Sequence, residues 1–214
     1  DIAEDVLKQY GAEPVFKGYP NHKSGGSAFP ATITTCVNEE LVHGIPRYDK
    51  ILREGDLLSV DCGAYYKGWV GDAAITIPVG KVSEEARRLV EVTEQALQEG
   101  IAQARLDNRT EDISAAIQAY VEQHGYNVVR EYTGHGVGRN MHEDPQVPNF
   151  GQRGRGAPLK RGMTIALEPM VNIGTWKTKL LEDGWTVVTA DGKLSAHVEH
   201  SLAITDGMPD ILTL

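Results

Sequence analysis

The strongest constraint in this sequence is a set of ionisable side chains that lie inside apolar or glycine-rich runs. These residues are Asp61, Asp72, His135, Glu168 and Glu199. A buried carboxylate without a partner is so unfavourable that it becomes neutral, pairs with a cation or binds a metal ion. Because few lysines or arginines lie in these runs, a divalent metal is the simplest source of positive charge. Four carboxylates and one imidazole exceed the usual needs of one ion, so we expect a two-metal site.

Composition and length are typical of an ordinary globular protein. With 214 residues, of which 41% are hydrophobic and 24% charged, the chain can bury one sizeable core. The sequence contains no apolar run of about 18 residues and no visible signal peptide, so we expect no membrane contact. Cys36 and Cys62 lack CxxC spacing and lie in apolar contexts, which favours free thiols and a reducing, cytoplasmic location. The formal net charge of −9 argues against sequence-specific nucleic-acid binding.

The helix signals fall into three places. Residues 1–11 read as the end of a helix that Gly11 closes. Ser83 is predicted to cap a helix that runs to about residue 105, because apolar positions then recur at helical spacing. Thr110 is predicted to cap a second helix, which ends at Gly125.

The strand signals flank these helices. Two β-like runs come before them, and further β-like runs follow residue 126. The last run, residues 185–205, is predicted to be a hairpin that turns at Asp191 and Gly192. Strands followed by helices and then by more strands favour an α+β fold with helices packed on an antiparallel sheet.

The first two strands are predicted to bring two carboxylates together. A hairpin turn centred between Tyr66 and Lys67 would place Asp61 directly opposite Asp72. Facing carboxylates repel each other and destabilise a hairpin unless a cation lies between them. The alternative is that both side chains are exposed on a solvated face of the strands, and a register slip of one residue would break the pairing.

The histidines of interest stand beside small or turn-forming residues. His135 lies in the run Gly-His-Gly-Val-Gly, where small neighbours leave room for an ion or ligand. His142 follows seven residues later, and His43 lies in LVHGIP. Each histidine alone is often a hydrogen-bonded polar residue without a catalytic role. Together with Glu168 before Pro169, they favour a functional site.

Five motifs carry a resemblance to a known family. They are HGIP at 43–46, Asp-Cys-Gly…Gly-Asp at 61–72, GHGVGRNMHEDP at 134–145, TIALEPM at 164–170 and DGWTVVTADGKLSAHVEH at 183–200. With these motifs, from about residue 16 to the C-terminus, the chain resembles the type I methionine aminopeptidases. The spacings of the ligand types also match: 11 positions between the aspartates, 33 from His135 to Glu168 and 31 from Glu168 to Glu199.

The resemblance implies the fold and the organisation of the chain. We expect an α+β pita-bread (creatinase/aminopeptidase-like) fold with a pseudo-two-fold axis. Residues 1–214 would form a single catalytic metallopeptidase domain that lacks its N-terminal helical segment. Residues 20–28 make a longer loop than usual in the family, and we expect it to reshape the rim of the specificity pocket. The insertion that marks type II enzymes is absent from the sequence.

The resemblance also assigns metal ligands. By similarity, Asp61 chelates one ion, Asp72 and Glu199 bridge two ions, and His135 and Glu168 complete the shell of the other. Two divalent ions (Co, Mn, Fe or Zn) sharing a water would present hydroxide for attack on the peptide bond. Glu168 is implied to be the general base as well as a ligand.

Further residues are implied to contact the substrate. By similarity, His142 polarises the scissile carbonyl and His43 assists the leaving nitrogen. The family's side-chain pocket maps onto Tyr19, Phe29, His43, Met141 and Trp185. A polarizable Met and aromatic walls suit a thioether. The alternative reading of these aromatic residues is plain core packing.

The implied activity is removal of the N-terminal methionine from nascent or short peptides with a free amine. We expect a cytoplasmic monomer that could meet its substrate at the ribosome. One alternative is an Xaa-Pro aminopeptidase or dipeptidase of the same fold, although such enzymes usually carry another N-terminal domain and lack HGIP at this place. The others are a non-catalytic pita-bread binding protein and a structural protein with a calcium cleft.

Overall fold

A nine-stranded antiparallel sheet forms the centre of the molecule, seen here in a computed structural model that describes residues 2–21 and 26–214. The helices are α1 (Ile2–Gln9), α2 (Glu84–Gln103) and α3 (Thr110–Gln123). The strands are β1 (Glu13–Pro14), β2 (Thr34–Val37), β3 (Glu40–Val42), β4 (Leu57–Tyr66), β5 (Trp69–Pro78), β6 (Asn127–Val128), β7 (Thr133–Gly136), β8 (Glu143–Pro148), β9 (Thr164–Leu167), β10 (Met170–Asn172), β11 (Thr178–Leu180), β12 (Val187–Thr189), β13 (Ser195–His197), β14 (Glu199–Ala203) and β15 (Asp210–Ile211).

The strand order explains how distant parts of the sequence meet. The main sheet has the order β1-β4-β5-β14-β9-β7-β8, with β2 paired to β4 and β15 paired to β14. Two three-stranded sheets, β13-β10-β6 and β11-β12-β3, complete the fold. Helices and an antiparallel sheet in these positions confirm the predicted α+β class. No helix in the described part of the chain has the length and apolar character needed to cross a membrane.

The first hairpin has a different register from the predicted one. The turn is centred on Lys67 and Gly68, both of which have positive φ (48° and 87°), as a two-residue hairpin turn requires. Asp61 therefore pairs with Ala74, and Asp72 pairs with Gly63. The prediction that Asp61 lies directly opposite Asp72 was wrong by two positions. Because two positions is one full period of a strand, both carboxylates still lie on the same face.

The predicted second hairpin does not exist, although the turn does. Gly192 has a positive φ of 72°, but β12 pairs with β11 and β3 whereas β13 pairs with β10. The N–H of Thr189 donates to the Glu39 carbonyl, and the N–H of Ser195 donates to the Asn38 carbonyl. The segment before β3 therefore separates the two strands, a tertiary effect that local turn chemistry cannot predict.

The helix limits largely agree with the predicted caps. Ser83 accepts a hydrogen bond from the Ala86 N–H at the start of α2, so that cap is confirmed. At α3 the predicted cap was wrong by one residue, because Arg109 is the N-cap and its N–H donates to Asp112. Thr110 instead accepts a hydrogen bond from the Ala157 N–H. The packing of these helices on the sheet forms the main hydrophobic core.

We expect Gly100→Val to lower the free energy of unfolding by about 1–3 kcal/mol, through overpacking of the core. A Cβ atom at this helical position would lie 2.9 Å from Ile117 Cδ1 and 3.0 Å from Leu167 Cδ2. The exposed Gln98 on the same helix offers a matched control, since Gln98→Val also adds a β-branched residue. Urea denaturation measures both variants. Equal stability of the two would contradict the tight α2–α3–β9 contact.

Candidate metal centre and its cleft

Strand register places the acidic residues on one face of the main sheet. Asp61 on β4 and Glu199 on β14 pair with Ala74 from its two sides. Asp72 lies two residues before Ala74 on β5. Because side chains alternate between faces along a strand, all three carboxylates point to the same side of the sheet.

His135 and Glu168 reach the same face from the other half of the sheet. His135 on β7 pairs with Ala166 on β9, which in turn pairs with Ser201 on β14. Glu168 comes two residues after Ala166, immediately beyond the end of β9. The register therefore lines up residues from β4, β5, β14, β9 and β7 over one patch.

The interatomic distances favour a cation at this patch. Ligand atoms of Asp72, His135 and Glu199 all lie within 4.8 Å of one another. The Nε2 atom of His135 is 3.8 Å from Asp72 Oδ2 and 3.5 Å from Glu168 Oε1. The Nδ1 atom of His135 lies 2.9 Å from the Gly136 carbonyl, which can only accept, so Nδ1 carries the proton. With that proton on Nδ1, Nε2 is the ring atom that can bind a metal ion, and it faces the carboxylate oxygens of Asp72 and Glu168.

Several buried oxygen atoms at the patch lack partners. Among the described residues, Asp61 Oδ1, Asp72 Oδ1 and Glu199 Oε1 are buried and have no hydrogen-bond partner. Buried polar atoms in folded proteins are normally satisfied, so these three need an explanation. Carboxylate oxygens and one imidazole nitrogen form a donor set that suits divalent transition metals. The residues present thus fit the metal ions that the sequence predicts.

Without a metal ion, the carboxyl groups of the patch have strongly raised pKa values. Burial, together with the charge of Glu168, raises the pKa of Asp72 to about 7. Burial raises the pKa of Glu168 to about 7 as well. Burial and then the neighbouring Asp72 charge raise the pKa of Asp61 and of Glu199 well above the usual range of carboxyl groups. Without a metal, these groups compete for protons instead of sharing a cation.

A cavity of about 500 Å³ lies over the acidic patch. All the residues that the sequence predicts for the site line it: Tyr19, Phe29, His43, Asp61, Asp72, His135, Met141, His142, Glu168, Trp185 and Glu199. Pro20 and Asn21, from the loop 20–28 that the sequence predicts at the rim, line it too. Sequence reasoning missed several other lining residues, namely Phe16, Thr34, Tyr132, Leu180 and Gly184. Thr34 could have been found through strand pairing, because it lies opposite Asp61 on β2.

His43 has an unusual backbone and an uncharged ring. Its φ of 59° is in the left-handed region, which a non-glycine residue rarely adopts. Burial, with a smaller effect of the charge of His197, lowers the pKa of His43 to about 4. The next residue, Gly44, packs so closely on β2 that a Cβ atom would lie 2.2 Å from the Thr35 carbonyl oxygen. The chain therefore holds a neutral imidazole in a fixed place at the cavity.

His142 is oriented by a tyrosine. The hydroxyl of Tyr19 lies 2.6 Å from His142 Nδ1. Burial raises the pKa of Tyr19, so its phenol stays protonated, and a phenol is a better donor than an imidazole N–H. The tautomer of His142 in which Tyr19 donates to Nδ1 carries the ring proton on Nε2. This tautomer provides an N–H donor at the cavity.

The apolar wall of the cavity is a cluster of aromatic and thioether side chains. Phe16, Phe29 and Met141 form a small core of their own, against which Trp185 packs. The ring of Phe29 meets those of Phe16 and Trp185 edge-on, at 6.5 and 5.2 Å between centroids. Edge-on aromatic pairs are a favourable and specific packing arrangement. The wall is thus rigid enough to define a side-chain pocket.

A strap of two hydrogen bonds closes one side of the cavity. Asn21 Nδ2 donates to the Gly184 carbonyl at 3.2 Å, and Trp185 Nε1 donates to the Ser27 carbonyl at 2.9 Å. These bonds join the two ends of the long loop to the turn before β12. Residues 22–25, the middle of the loop for which the sequence predicts an altered pocket rim, lie outside the described residues.

The comparisons with known proteins agree with this geometry. The sequence model of metallopeptidase family M24 matches residues 2–206. A methionine aminopeptidase from Clostridium acetobutylicum is 53% identical over 213 residues, which cover 100% of this chain and 82% of that protein. Methionine aminopeptidase 1 from Bacillus subtilis is 50% identical over 99% of this chain and 82% of its own length. The chain belongs to the type I methionine aminopeptidases of metallopeptidase family M24.

Solved structures support the same assignment and confirm the pita-bread fold. The crystal structure of a methionine aminopeptidase from Thermotoga maritima superposes with a TM-score of 0.92 and is 47% identical, over 98% of this chain and 81% of that one. A prolidase from Pyrococcus horikoshii shares the fold at 23% identity and a TM-score of 0.68, over 85% of this chain and 47% of the prolidase chain. The methionine aminopeptidases are therefore much closer relatives than the Xaa-Pro peptidases.

The raised carboxyl pKa values predict how the stability of this methionine aminopeptidase family member depends on pH. Asp72 and Glu168 titrate near 7 in the folded metal-free state, against ordinary values of 3.8 and 4.5. Between these values the folded state binds more protons than the unfolded state, so the free energy of unfolding falls as pH rises. Bound metal replaces those protons. We therefore expect Mn²⁺ to raise the Tm more at about pH 8 than at about pH 5.

Scanning calorimetry of chelator-treated and Mn²⁺-loaded protein at both pH values tests this linkage. Asp72→Asn is the matched variant, since it keeps the shape but removes a buried charge. We expect it to stabilise the metal-free protein at the higher pH and to reduce the shift caused by Mn²⁺. An equal Mn²⁺ shift at both pH values would contradict the proton–metal competition.

Proposed function

We propose that this chain removes the N-terminal methionine from short peptides and nascent chains, using two divalent metal ions. The observation that carries the proposal is the meeting of five ligand residues, four buried and one (Glu168) partly exposed, beneath a cavity with an apolar wall. Asp61, Asp72, His135, Glu168 and Glu199 would hold the ions. The relatives named methionine aminopeptidase supply the substrate class.

Metal ions at this site would act as Lewis acids on the scissile carbonyl and would lower the pKa of the attacking water. Glu168 would act as the general base that takes a proton from water. Its side chain is 13% exposed and its Oε1 atom lies 3.5 Å from His135 Nε2, so it lies where it could both bind an ion and accept a proton.

Two histidines complete the proposed catalytic groups. His142, with its proton on Nε2, donates a hydrogen bond to the carbonyl oxygen and stabilises the negative charge that develops there. His43 lies on the cavity wall near Trp185 and Tyr132, with ring centroids 6.5 and 5.6 Å away. As a neutral imidazole it can hydrogen-bond the scissile nitrogen and assist departure of the shortened peptide.

The pocket walls account for the choice of methionine. Tyr19, Phe29, Met141 and Trp185, with His43 at the edge, offer an apolar surface for a flexible thioether. A hydrophobic pocket distinguishes side chains that differ by one methylene by only about 1–3 kcal/mol. Norleucine should therefore be accepted, whereas branched or charged side chains fit poorly. The free α-amine of the substrate would bind at the acidic patch, which explains the requirement for an unblocked chain end.

The proposal also covers the identity of the metal ions and the cellular compartment. Carboxylate and imidazole ligands suit Co, Mn, Fe and Zn. We place the enzyme in the cytoplasm as a monomer that meets nascent chains at the ribosome. The free cysteines Cys36 and Cys62, buried and half-buried, support a reducing compartment.

Hydrolysis of Met-Ala-Ser by metal-stripped protein, titrated with Mn²⁺ or Co²⁺, tests the function. We expect methionine release that depends on added metal and that falls about 10²–10⁴-fold in Glu168→Gln, which keeps the shape but loses the base. Formyl-Met-Ala-Ser should not be cleaved, because its blocked amine cannot bind at the acidic patch. Liquid chromatography of the products measures methionine release by the unmodified protein and by Glu168→Gln, and cleavage of the formylated peptide.

Hydrolysis of Ala-Pro-Ser distinguishes Xaa-Pro peptidase activity from methionine aminopeptidase activity. Release of alanine from this peptide alone would move the assignment to the Xaa-Pro class. No release from either peptide at any metal concentration would indicate a binding protein that has kept the fold. Glu94→Gln, on the exposed side of α2, is the matched control for Glu168→Gln and should keep full activity.

We expect Tyr19→Phe to lower kcat about 2- to 10-fold, the range of one net hydrogen bond. Without the phenol hydroxyl, His142 Nδ1 loses its contact with Tyr19, which no longer selects one ring tautomer. Steady-state kinetics on Met-Ala-Ser measures the effect. Tyr48→Phe, at a fully exposed tyrosine, is the matched control and should not change kcat. Equal kcat in both variants would rule out a role of Tyr19 in orienting His142.

A further inference from the structure

His197 is a buried histidine that the proposed mechanism does not use. It is the last residue of β13, two positions before Glu199, and is 2% exposed. Its Nε2 atom has no hydrogen-bond partner among the residues that the structure describes. An unpartnered polar atom this deep in the protein is uncommon, and its surroundings indicate what it does.

Two imidazoles bracket the carboxylate of Glu168. His135 Nε2 lies 3.5 Å from Glu168 Oε1, and His197 Nε2 lies 3.5 Å from Glu168 Oε2. Each oxygen of the Glu168 carboxylate thus lies near a different histidine ring. His135 faces the acidic patch with its Nε2 atom, since Nδ1 is bonded to the Gly136 carbonyl. His197 approaches the other oxygen from the neighbouring strand.

The position of His197 is fixed by its backbone. Thr76 Oγ1 accepts from the His197 N–H at 3.0 Å and donates to the His197 carbonyl at 2.7 Å. The hydroxyl of Ser59 lies 2.8 Å from the same Thr76 oxygen. On its other side, His197 pairs with Met170 of β10. These contacts hold both peptide groups of His197, so its ring has little freedom to move away.

Glu168 is held less firmly at its own side chain. Its backbone carbonyl accepts a hydrogen bond from Asn149 Nδ2 at 3.2 Å. The carboxylate can still rotate about its last bond, which would exchange its two oxygens. A group that must both bind an ion and accept a proton needs a fixed orientation.

We propose that His197 is a positioning residue for Glu168: its Nε2–H donates to Oε2 and leaves Oε1, beside His135, to the metal ion. The proposal rests on the proposed function, because Glu168 is there both base and ligand. In this arrangement His197 contacts Glu168 but neither the substrate nor the metal.

Three variants test the proposal. His197→Ala removes the donor, and His197→Gln keeps an N–H donor of similar reach. His200→Ala is the matched control, because His200 is a half-buried histidine on β14 whose Nδ1 bonds Thr213 instead. Thermal melting of each variant first establishes that it is folded. If His197→Ala does not fold, His197→Phe, which removes the donor but fills the buried space, takes its place in the comparison.

The first readout is metal affinity, measured by calorimetric titration of metal-stripped protein with Mn²⁺. Loss of a residue that orients a ligand typically costs about 10–100-fold in affinity or activity. We expect that loss in His197→Ala, partial recovery in His197→Gln and no change in His200→Ala. In kinetics on Met-Ala-Ser, kcat should fall while KM changes little.

A double-mutant cycle shows whether His197 acts through Glu168. In the Glu168→Gln background, His197→Ala should weaken Mn²⁺ binding no further, since the charge that it orients is gone. This readout does not depend on peptide hydrolysis, so it decides the inference even if the proposed activity fails.

Two results would overturn the inference. One is unchanged Mn²⁺ affinity and kcat in folded His197→Ala. The other is an additive effect in the double mutant, with a Co²⁺ absorption spectrum that changes in His197→Gln as much as in His197→Ala. That result would make His197 a metal ligand in its own right.

Discussion

The crowding of carboxylates on one buried sheet face is the constraint on which the rest of the structure depends. Asp61, Asp72 and Glu199 lie on neighbouring strands around one alanine, and Glu168 joins them from the end of β9. Such a patch resists both folding and ionisation unless a cation joins it. The unpartnered buried oxygen atoms and the raised carboxyl pKa values both follow from this crowding.

Two hydroxyl groups set the distance between the central strands of this patch. β5 and β14 pair directly only at Ala73 and Ala74. Beyond them, Ser201 Oγ accepts from the Asp72 N–H at 3.0 Å and donates to the Asp72 carbonyl at 2.9 Å. Thr76 makes the same double contact with His197 at the other end. Side-chain oxygens thus replace backbone pairing where the strands diverge, and the sheet opens around its ligands without losing hydrogen bonds.

The sequence predicted the ligand face better than the strand partners. Alternation along a strand decides which face a residue takes, so Asp61 and Asp72 remained together although their register was wrong by two positions. Partner choice depends on the whole fold, so the turn at Gly192 was correct but joined two different sheets. The proximity of His197 to Glu168 was missed because it joins segments that are far apart in the sequence and become neighbours only through the pairing of β13 with β10.

The strap between the long loop and the turn before β12 has a consequence for what can enter the cavity. Asn21 and Trp185 tie the two sides together through the Gly184 and Ser27 carbonyls. A polypeptide that lay across that side of the cavity would meet both hydrogen bonds. The strap therefore favours entry of a chain end over that of a continuous chain, a selection that does not depend on recognition of the terminal amine.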